Sequence, residues 1–349
     1  MRILAQYKSC GEEYRLRGFG NVFTSIGHDF RFWDDKYPVF DVFDEYEPDI
    51  FIGTTFDLTS GLIRCIQERP NLKVILKGSN WGPSNEKIDT RQYPVVCVNQ
   101  QEAETVLKLK EETGKPDYVF CHYHPKRLAE TMGYWDTNGI KSIALMNSAD
   151  ILEYGQGTYR EELASDISFI GGYWPYKGVN LDKYIVPLCN PVGKYNIKIW
   201  GNQAWHIPQY MGAPQNELVK DIYASAKVCP NVSEPHSFAF GFDIVERPFK
   251  IMSAGGFCLM DRIATAEEDI FTDKEVGWYS DEMNFKTALN YWLTHDDERV
   301  AIAAQGRRKV YENYTYHHQT AKLLEELGFS DESKLVMEQH NALCSDSGF

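Results

Sequence analysis

The sequence is poor in the features that would place a protein in a membrane or an oxidising compartment. Its eight cysteines are scattered, with neither a CxxC pair nor the Cys/His spacing of a metal site. Several stand inside apolar strand-like runs, such as Val96-Cys97-Val98 and Phe257-Cys258-Leu259, the setting of a small buried hydrophobe. A reducing, cytoplasmic location is therefore expected. The first residues, Met1 to Tyr7, run straight into a strand-like segment, without the cationic and apolar regions of a secretory signal. No uninterrupted apolar run reaches the roughly 18 residues of a membrane-crossing helix, so no integral membrane contact is expected. Basic charge is scarce as well. Against 50 Asp and Glu there are 36 Lys and Arg, a formal net charge of −14, which removes the broad attraction behind nonspecific nucleic-acid binding. A local basic groove for a nucleotide, or for one DNA site, survives that average. The chain also lacks a fixed-period repeat, a low-complexity tract and the full glycine spacing of a dinucleotide loop.

What is present is enough apolar material, 43% of 349 residues, for about two ordinary domains. In the first half, strand-like runs recur at Arg2 to Tyr7, Asp49 to Gly53, Lys73 to Lys77, Val95 to Val98, Tyr118 to Cys121 and Ser142 to Met146. Helix-like stretches such as Leu58 to Glu68 and Gln101 to Glu112 lie between them. The rhythm lapses around 148–165 and restarts at Asp166 to Ile170, Ile197 to Trp200, Lys227 to Val232, Gly256 to Met260 and Val276 to Tyr279, followed by helices from Phe285 to Leu327. Alternation of this kind predicts an α/β chain of two Rossmann-like domains facing a cleft, with parallel sheets covered by helices. The expected boundaries are 1–155 for the first domain, 156–327 for the second, and 328–349 for a polar tail or packing arm.

Open parallel sheets bind ligands beyond the carboxyl ends of their strands, so the strand ends of the second half carry the argument. Ile167 to Ile170 runs into Gly171 and Gly172, where backbone can approach a ligand closely, and Lys177 offers a point charge to a phosphate. Ile197 to Trp200 ends in Gly201, where backbone groups and the Trp200 ring suit the edge and face of a base. The most informative segment is Glu246-Arg247-Pro248-Phe249-Lys250, read as a helix that starts near Pro248 and closes at Gly255-Gly256. Arg247 and Lys250 then stand at a helix start that favours anions, and Glu246 is a natural acceptor for a ribose diol.

These segments resemble the nucleotide-sugar half of GT-B glycosyltransferases. The similarity rests on Phe169 to Gly172, Lys198 to Gly201, Glu246 to Phe257 and Glu275 to Tyr279, and on Tyr291 to Arg299, Ile302 to Gly306 and Tyr314 to His318. It looks closest to the CgeB-like, spore-maturation branch, and covers about residues 166–327. The resemblance implies transfer of a sugar from a UDP- or GDP-linked donor to an acceptor hydroxyl on a glycan, a protein, a small molecule or a modified DNA base. It also implies that no cofactor and no metal is required, with Arg247, Lys250 and Lys177 meeting the diphosphate. One position departs. Where many relatives carry the ribose-binding glutamate this chain has Lys250, so either Glu246 takes the ribose or the correspondence is shifted. A noncatalytic nucleotide-sugar scaffold and a nonhydrolysing sugar-nucleotide epimerase are the alternatives on the same fold.

The first half offers candidate bases at strand ends: Asp57, which could equally cap a helix, and the pair His122 and His124, which invites a metal reading but has no third ligand spaced nearby. Acceptor-side candidates are Arg15 and Arg17, in a loop expected over Gly11 to Asn21, and Trp81, a platform for sugar stacking.

Overall fold

Apolar runs become parallel strands in both halves of the chain. The computed structural model describes residues 1–7, 10–34, 36–78 and 100–346, and its contacts divide it into two units. The first unit comprises Met1–Met146 with Tyr316–Ala342; the second comprises Asn147–Thr315 with the segment from Leu343.

In chain order the first unit holds β1 (Arg2–Gln6), α1 (Cys10–Ser25), β2 (Asp29–Trp33), α2 (Val39–Tyr46), β3 (Ile50–Thr54), α3 (Ser60–Gln67), β4 (Lys73–Lys77), α4 (Gln100–Thr113), β5 (Tyr118–Cys121), α5 (Leu128–Thr137) and β6 (Ser142–Ala144). Its six strands pair in parallel in the order β2-β1-β3-β4-β5-β6. Ile3 and Leu4 of β1, Ile50 and Phe51 of β3, and Val74 to Leu76 of β4 are fully buried. Helices on both faces explain why these strands read as unbroken apolar runs. The second unit holds β7 (Ser165–Ile170), α6 (Pro175–Tyr184), β8 (Ile197–Trp200), α7 (Asn216–Ser225), β9 (Ala226–Pro230), α8 (Pro235–Phe240), α9 (Arg247–Ser253), β10 (Cys258–Asp261), β11 (Gly277–Tyr279), α10 (Glu282–Thr294) and α11 (Asp296–Asn313). Its sheet is parallel in the order β11-β10-β9-β7-β8, and Ile167, Phe169, Ile199, Val228, Leu259 and Tyr279 anchor its core. Helix α12 (Tyr316–Glu326) and most of α13 (Ser330–Asp346) are grouped with the first unit.

Three expectations change. β2 was not anticipated, because Asp29-Phe-Arg-Phe-Trp33 is a largely exposed edge strand with mixed polarity. The segment read as a loop over Gly11 to Asn21 is helix α1. Its glycines serve packing: a side chain at Gly18 would collide with the Tyr316 ring, and one at Gly20 would come within 2.7 Å of Phe30. Of the polar tail or packing arm expected over 328–349, the structure shows a helix, Ser330–Asp346, with Val336 fully buried, as in a packing arm. Finally, the units divide at 146/147 rather than 155/156, and 316–327 is grouped with the first unit rather than the second. The strand expected at Val95 to Val98 and the Trp81 loop lie outside the described residues.

Candidate active site

In each sheet the strand order reverses once, and the crevice at that reversal is where an open parallel sheet receives a ligand. The reversal falls between β7 and β9 in the second unit, and between β1 and β3 in the first.

Arg247 occupies the second unit's reversal point. Its Nε donates to the Ile170 carbonyl at 2.9 Å, while Nη1 donates to Asn231 Oδ1 at 3.0 Å and to the Val232 carbonyl at 3.3 Å. Its guanidinium carbon lies 4.7 Å from the centre of the Phe169 ring. The side chain therefore bridges the carboxyl ends of β7 and β9. Lys177, in the first turn of α6, brings a second cation close to it. Burial pushes the Lys177 ammonium down to about 7, the positive charge of Arg247 adds to that fall, and Glu234 opposes it. Neither cation forms an ion pair among the described residues. Two neighbouring positive charges without a carboxylate partner form a site that an anion would relieve.

The glycines fit around this pair. A side chain at Gly171 would meet the Phe169 ring at 2.9 Å and Arg247 Nη2 at 3.0 Å, and one at Gly201 would drive into the Gly171 carbonyl. At Gly172 a side chain would stand 3.0 Å from Asn202 Oδ1. Trp205 is a core residue whose Nε1 donates to the Gly171 carbonyl at 2.9 Å. Trp200 is half-buried, and its indole nitrogen has no hydrogen-bond partner among the described residues.

Helix α9 starts and closes where the sequence indicated, with Pro248 in its first turn and Gly255 at φ +87° beyond its end. Lys250, however, is engaged locally. Its Nζ lies 3.1 Å from Glu246 Oε2 and 4.6 Å from the centre of the Tyr154 ring. The pairing draws Lys250 to Glu246 and leaves Arg247 and Lys177 as the two cations at the reversal point.

Sequence reasoning missed the polar residues that immediately follow β9 and those beside α8. His236 is buried and stacked on Tyr176; its Nε2 lies 2.6 Å from Asp243 Oδ2 and its Nδ1 3.1 Å from the Tyr176 hydroxyl. A carboxylate only accepts, so Nε2–H donates to Asp243, and in the neutral ring the Tyr176 O–H donates to Nδ1. The available signal was position: Asn231 lies in, and Ser233 to His236 directly follow, the run Lys227 to Val232 that had been read as a strand.

In the first unit, Gln6, Arg15, Leu16, Gly53, Thr54, Lys77, Phe120 and His122 line a small pocket at the β1/β3 reversal. His122 Nδ1 lies 3.0 Å from the Leu145 carbonyl. Since that oxygen can only accept, Nδ1 carries the proton and the neutral ring has its lone pair on Nε2. Burial, then the charges of Arg15 and Lys77, hold its pKa well below the ordinary histidine value. The other candidates have local partners. His124 caps the short helical turn Pro125–Arg127 through its side chain, Arg17 pairs with Glu13, and Asp57 accepts from the Thr54 hydroxyl at 3.2 Å. The cap of α3 is Thr59, so Asp57 does not serve there. Among the described residues no three His, Cys, Asp or Glu side chains converge on a possible metal position.

Residues 186–325 match the family model described as glycosyl transferase-like. Among solved structures, Alr3699/HepE of Anabaena, in complex with UDP and glucose, matches 94% of this chain and 99% of its own at TM-score 0.60 and 10% identity. Sucrose-phosphate synthase (tll1590) of Thermosynechococcus elongatus matches 93% and 98% at TM-score 0.64 and 10% identity. T4 phage BGT, in complex with UDP-glucose, matches 93% and 99% at TM-score 0.56 and 14% identity. The chain has the GT-B fold. No curated protein sequence matches it.

On this GT-B scaffold the sequence-predicted residues sort by geometry. Gly171, Gly172, Gly201, Lys177 and Arg247 come together at the second sheet's reversal, while Glu246 and Lys250 pair with each other beside it. Arg15 and His122 come together in the first unit, and His124, Arg17 and Asp57 do not line that pocket. The second unit also has a concavity of about 360 Å³ at the opposite, amino ends of β9 and β10, lined in part by Lys227, Phe257, Arg299 and Ala303. The two cations of the reversal point do not line it.

Proposed function

We propose that the chain is a metal-independent glycosyltransferase of the CgeB-like branch, moving a sugar from a nucleoside diphosphate donor to an acceptor hydroxyl. The observation that carries this reading is the Arg247–Lys177 cation pair at the β7/β9 reversal, where departing diphosphate charge would be met. The similar structures in complex with UDP or UDP-glucose favour UDP as the nucleotide. Glu246 is assigned to the donor ribose, with Lys250 orienting its carboxylate.

His122 is assigned as the base. The acceptor O–H donates to Nε2, the proton passes to that nitrogen as the oxygen bonds to the anomeric carbon, and the bond from that carbon to the diphosphate oxygen breaks. The electron pair leaves with the diphosphate, onto Arg247 and Lys177. Arg15, beside His122, is assigned to the acceptor. Acceptors on a glycan, a protein, a small molecule or a modified DNA base all fit this chemistry; a DNA-modifying β-glucosyltransferase is among the similar structures. A cytoplasmic location is supported by free, buried cysteines at 65, 121, 189, 229 and 258.

The test is incubation with UDP- and GDP-sugars, following release of the diphosphate with EDTA and with added Mn²⁺, since one structure of the phage protein contains UDP and Mn²⁺. Slow donor hydrolysis that survives EDTA and disappears in Arg247→Ala supports the reading. Stabilisation by UDP without hydrolysis or transfer would make the chain a scaffold, and conversion of the donor sugar without diphosphate release would make it an epimerase.

A further inference from the structure

Asp261, at the carboxyl end of β10, is fully buried, and its two oxygens have different tasks. Oδ1 accepts from Asn231 Nδ2 at 2.6 Å, and Oδ2 accepts from the Ser233 backbone N–H at 2.6 Å. Burial pushes its carboxyl pKa up, and these hydrogen bonds pull it back. A carboxylate withdrawn from water to this degree is costly unless it is held by donors, and here both donors lead toward the reversal point.

The first path runs through Asn231. A side-chain amide can be turned either way, but an ionised carboxylate accepts only, so Asp261 compels Asn231 to offer it the NH₂ group. The amide oxygen is thereby aimed at Arg247, where it accepts from Nη1 at 3.0 Å. The Asn231 carbonyl is fixed separately by the Tyr279 hydroxyl at 2.7 Å. The second path runs through the turn after β9. With its N–H on Asp261, Ser233 presents its carbonyl to Asn180 Nδ2 at 2.9 Å, and Asn180 lies on α6, the helix that carries Lys177.

We infer that Asp261 is a positioning residue for both cations: through Asn231 it fixes the reach of Arg247, and through Ser233 and Asn180 it fixes the helix that presents Lys177. This rests on the proposed diphosphate role of those cations. It makes a prediction opposite in sign to simple electrostatics. Removing a buried negative charge near an anion site should tighten anion binding through space. Loss of positioning should weaken it, because the Asn231 amide becomes free to turn its NH₂ toward the guanidinium.

The experiment measures UDP and uridine affinity of the 349-residue chain and of Asp261→Asn, with thermal unfolding run in parallel. The expected result is a Kd for UDP raised about tenfold and a Kd for uridine unchanged, because uridine carries no phosphate for the cations to meet. Unchanged or tighter UDP binding overturns the inference, and so does an equal loss for UDP and uridine, which would mark general damage. If Asp261→Asn does not fold, Asn231→Ala carries the same comparison, with UDP weakened severalfold and uridine unaffected; no change in UDP affinity overturns the inference there. Failure of the wild-type chain to bind UDP or GDP would instead overturn the diphosphate assignment itself, and the inference with it.

Discussion

Lys177 should make diphosphate binding depend on pH in a calculable way. With its ammonium pushed down to about 7 by burial and by Arg247, it is largely neutral at pH 8 to 9. A bound diphosphate supplies the opposite charge that the site lacks, which favours the protonated form and raises the pKa. Binding above pH 7 must then take up a proton. By linkage the affinity falls as pH rises, approaching tenfold per unit, or about 50-fold between pH 7 and 9, as long as the bound-state pKa stays above that window. The diphosphate loses its own last proton by about pH 7, so the window isolates the protein group. Calorimetric titration of UDP at pH 7, 8 and 9, in two buffers of different ionisation enthalpy, reads both the affinity and the proton uptake. Replacement Lys177→Met should weaken binding at pH 7 by about 10- to 150-fold, the worth of a charge-assisted contact of about 1.5–3 kcal/mol, and should leave a flat profile above it. A wild-type affinity that stays constant from pH 7 to 9, or a variant that keeps the wild-type slope, refutes the reasoning.

Other perturbations reach different parts of the molecule. His122→Gln should lower kcat by about 10²–10⁴ without changing the Kd for UDP, and the wild-type rate should show no acid limb near pH 6.5, because burial and the neighbouring cations hold the ring neutral well below that value; a limb at pH 6.5 would remove His122 as the base. His317 is buried in the first unit with its pKa pushed to about 3, first by burial and then by His340, so the unfolded chain binds a proton below pH 6.5 that the folded chain refuses. Stability is therefore complete above pH 6.5 and drains as pH falls toward 3, by up to ~1.4 kcal/mol per unit; urea unfolding at pH 7 and pH 5 should show this, with His317→Leu reducing the slope. Gly18→Ala should cost about 1–3 kcal/mol of stability in the same assay, since its methyl group would enter the space of the buried Tyr316 ring; a neutral effect would show that α1 and α12 do not pack as described.

The parts of this architecture that could be read from sequence are those where one local cause decides. Strands buried on both faces announce themselves as apolar runs, so β4 and β5 were located residue for residue. Helix α9 could be bounded because a proline starts it and glycines end it. An edge strand such as β2 has no such signature, and a glycine inside a helix, as at Gly18, looks like a loop until its neighbour Tyr316, distant in sequence, is known. The site divided in the same way. Gly171 and Gly201 could be singled out because they follow strands and Arg247 because it opens a helix, whereas Asn231, His236 and Asp261 gain their meaning from partners that only the folded sheet supplies. Lys250 has a similar ambiguity: a cation at a helix start reads as a phosphate ligand, and the folded helix also places it 3.1 Å from Glu246 Oε2.

The chain path has a consequence for synthesis. The first unit is built from residues 1–146 and 316–342, with Asn147–Thr315, nearly all of the second unit, encoded between them. The Tyr316 ring that meets Phe19 at a centroid distance of 5.1 Å therefore emerges from the ribosome almost 300 residues after its partner. The second unit can close while its coding segment is being translated, but the first must wait, with the face of α1 uncovered, until α12 arrives. A fragment ending near residue 146 would lack that cover, and a first unit made in isolation would need 316–342 rejoined to 1–146.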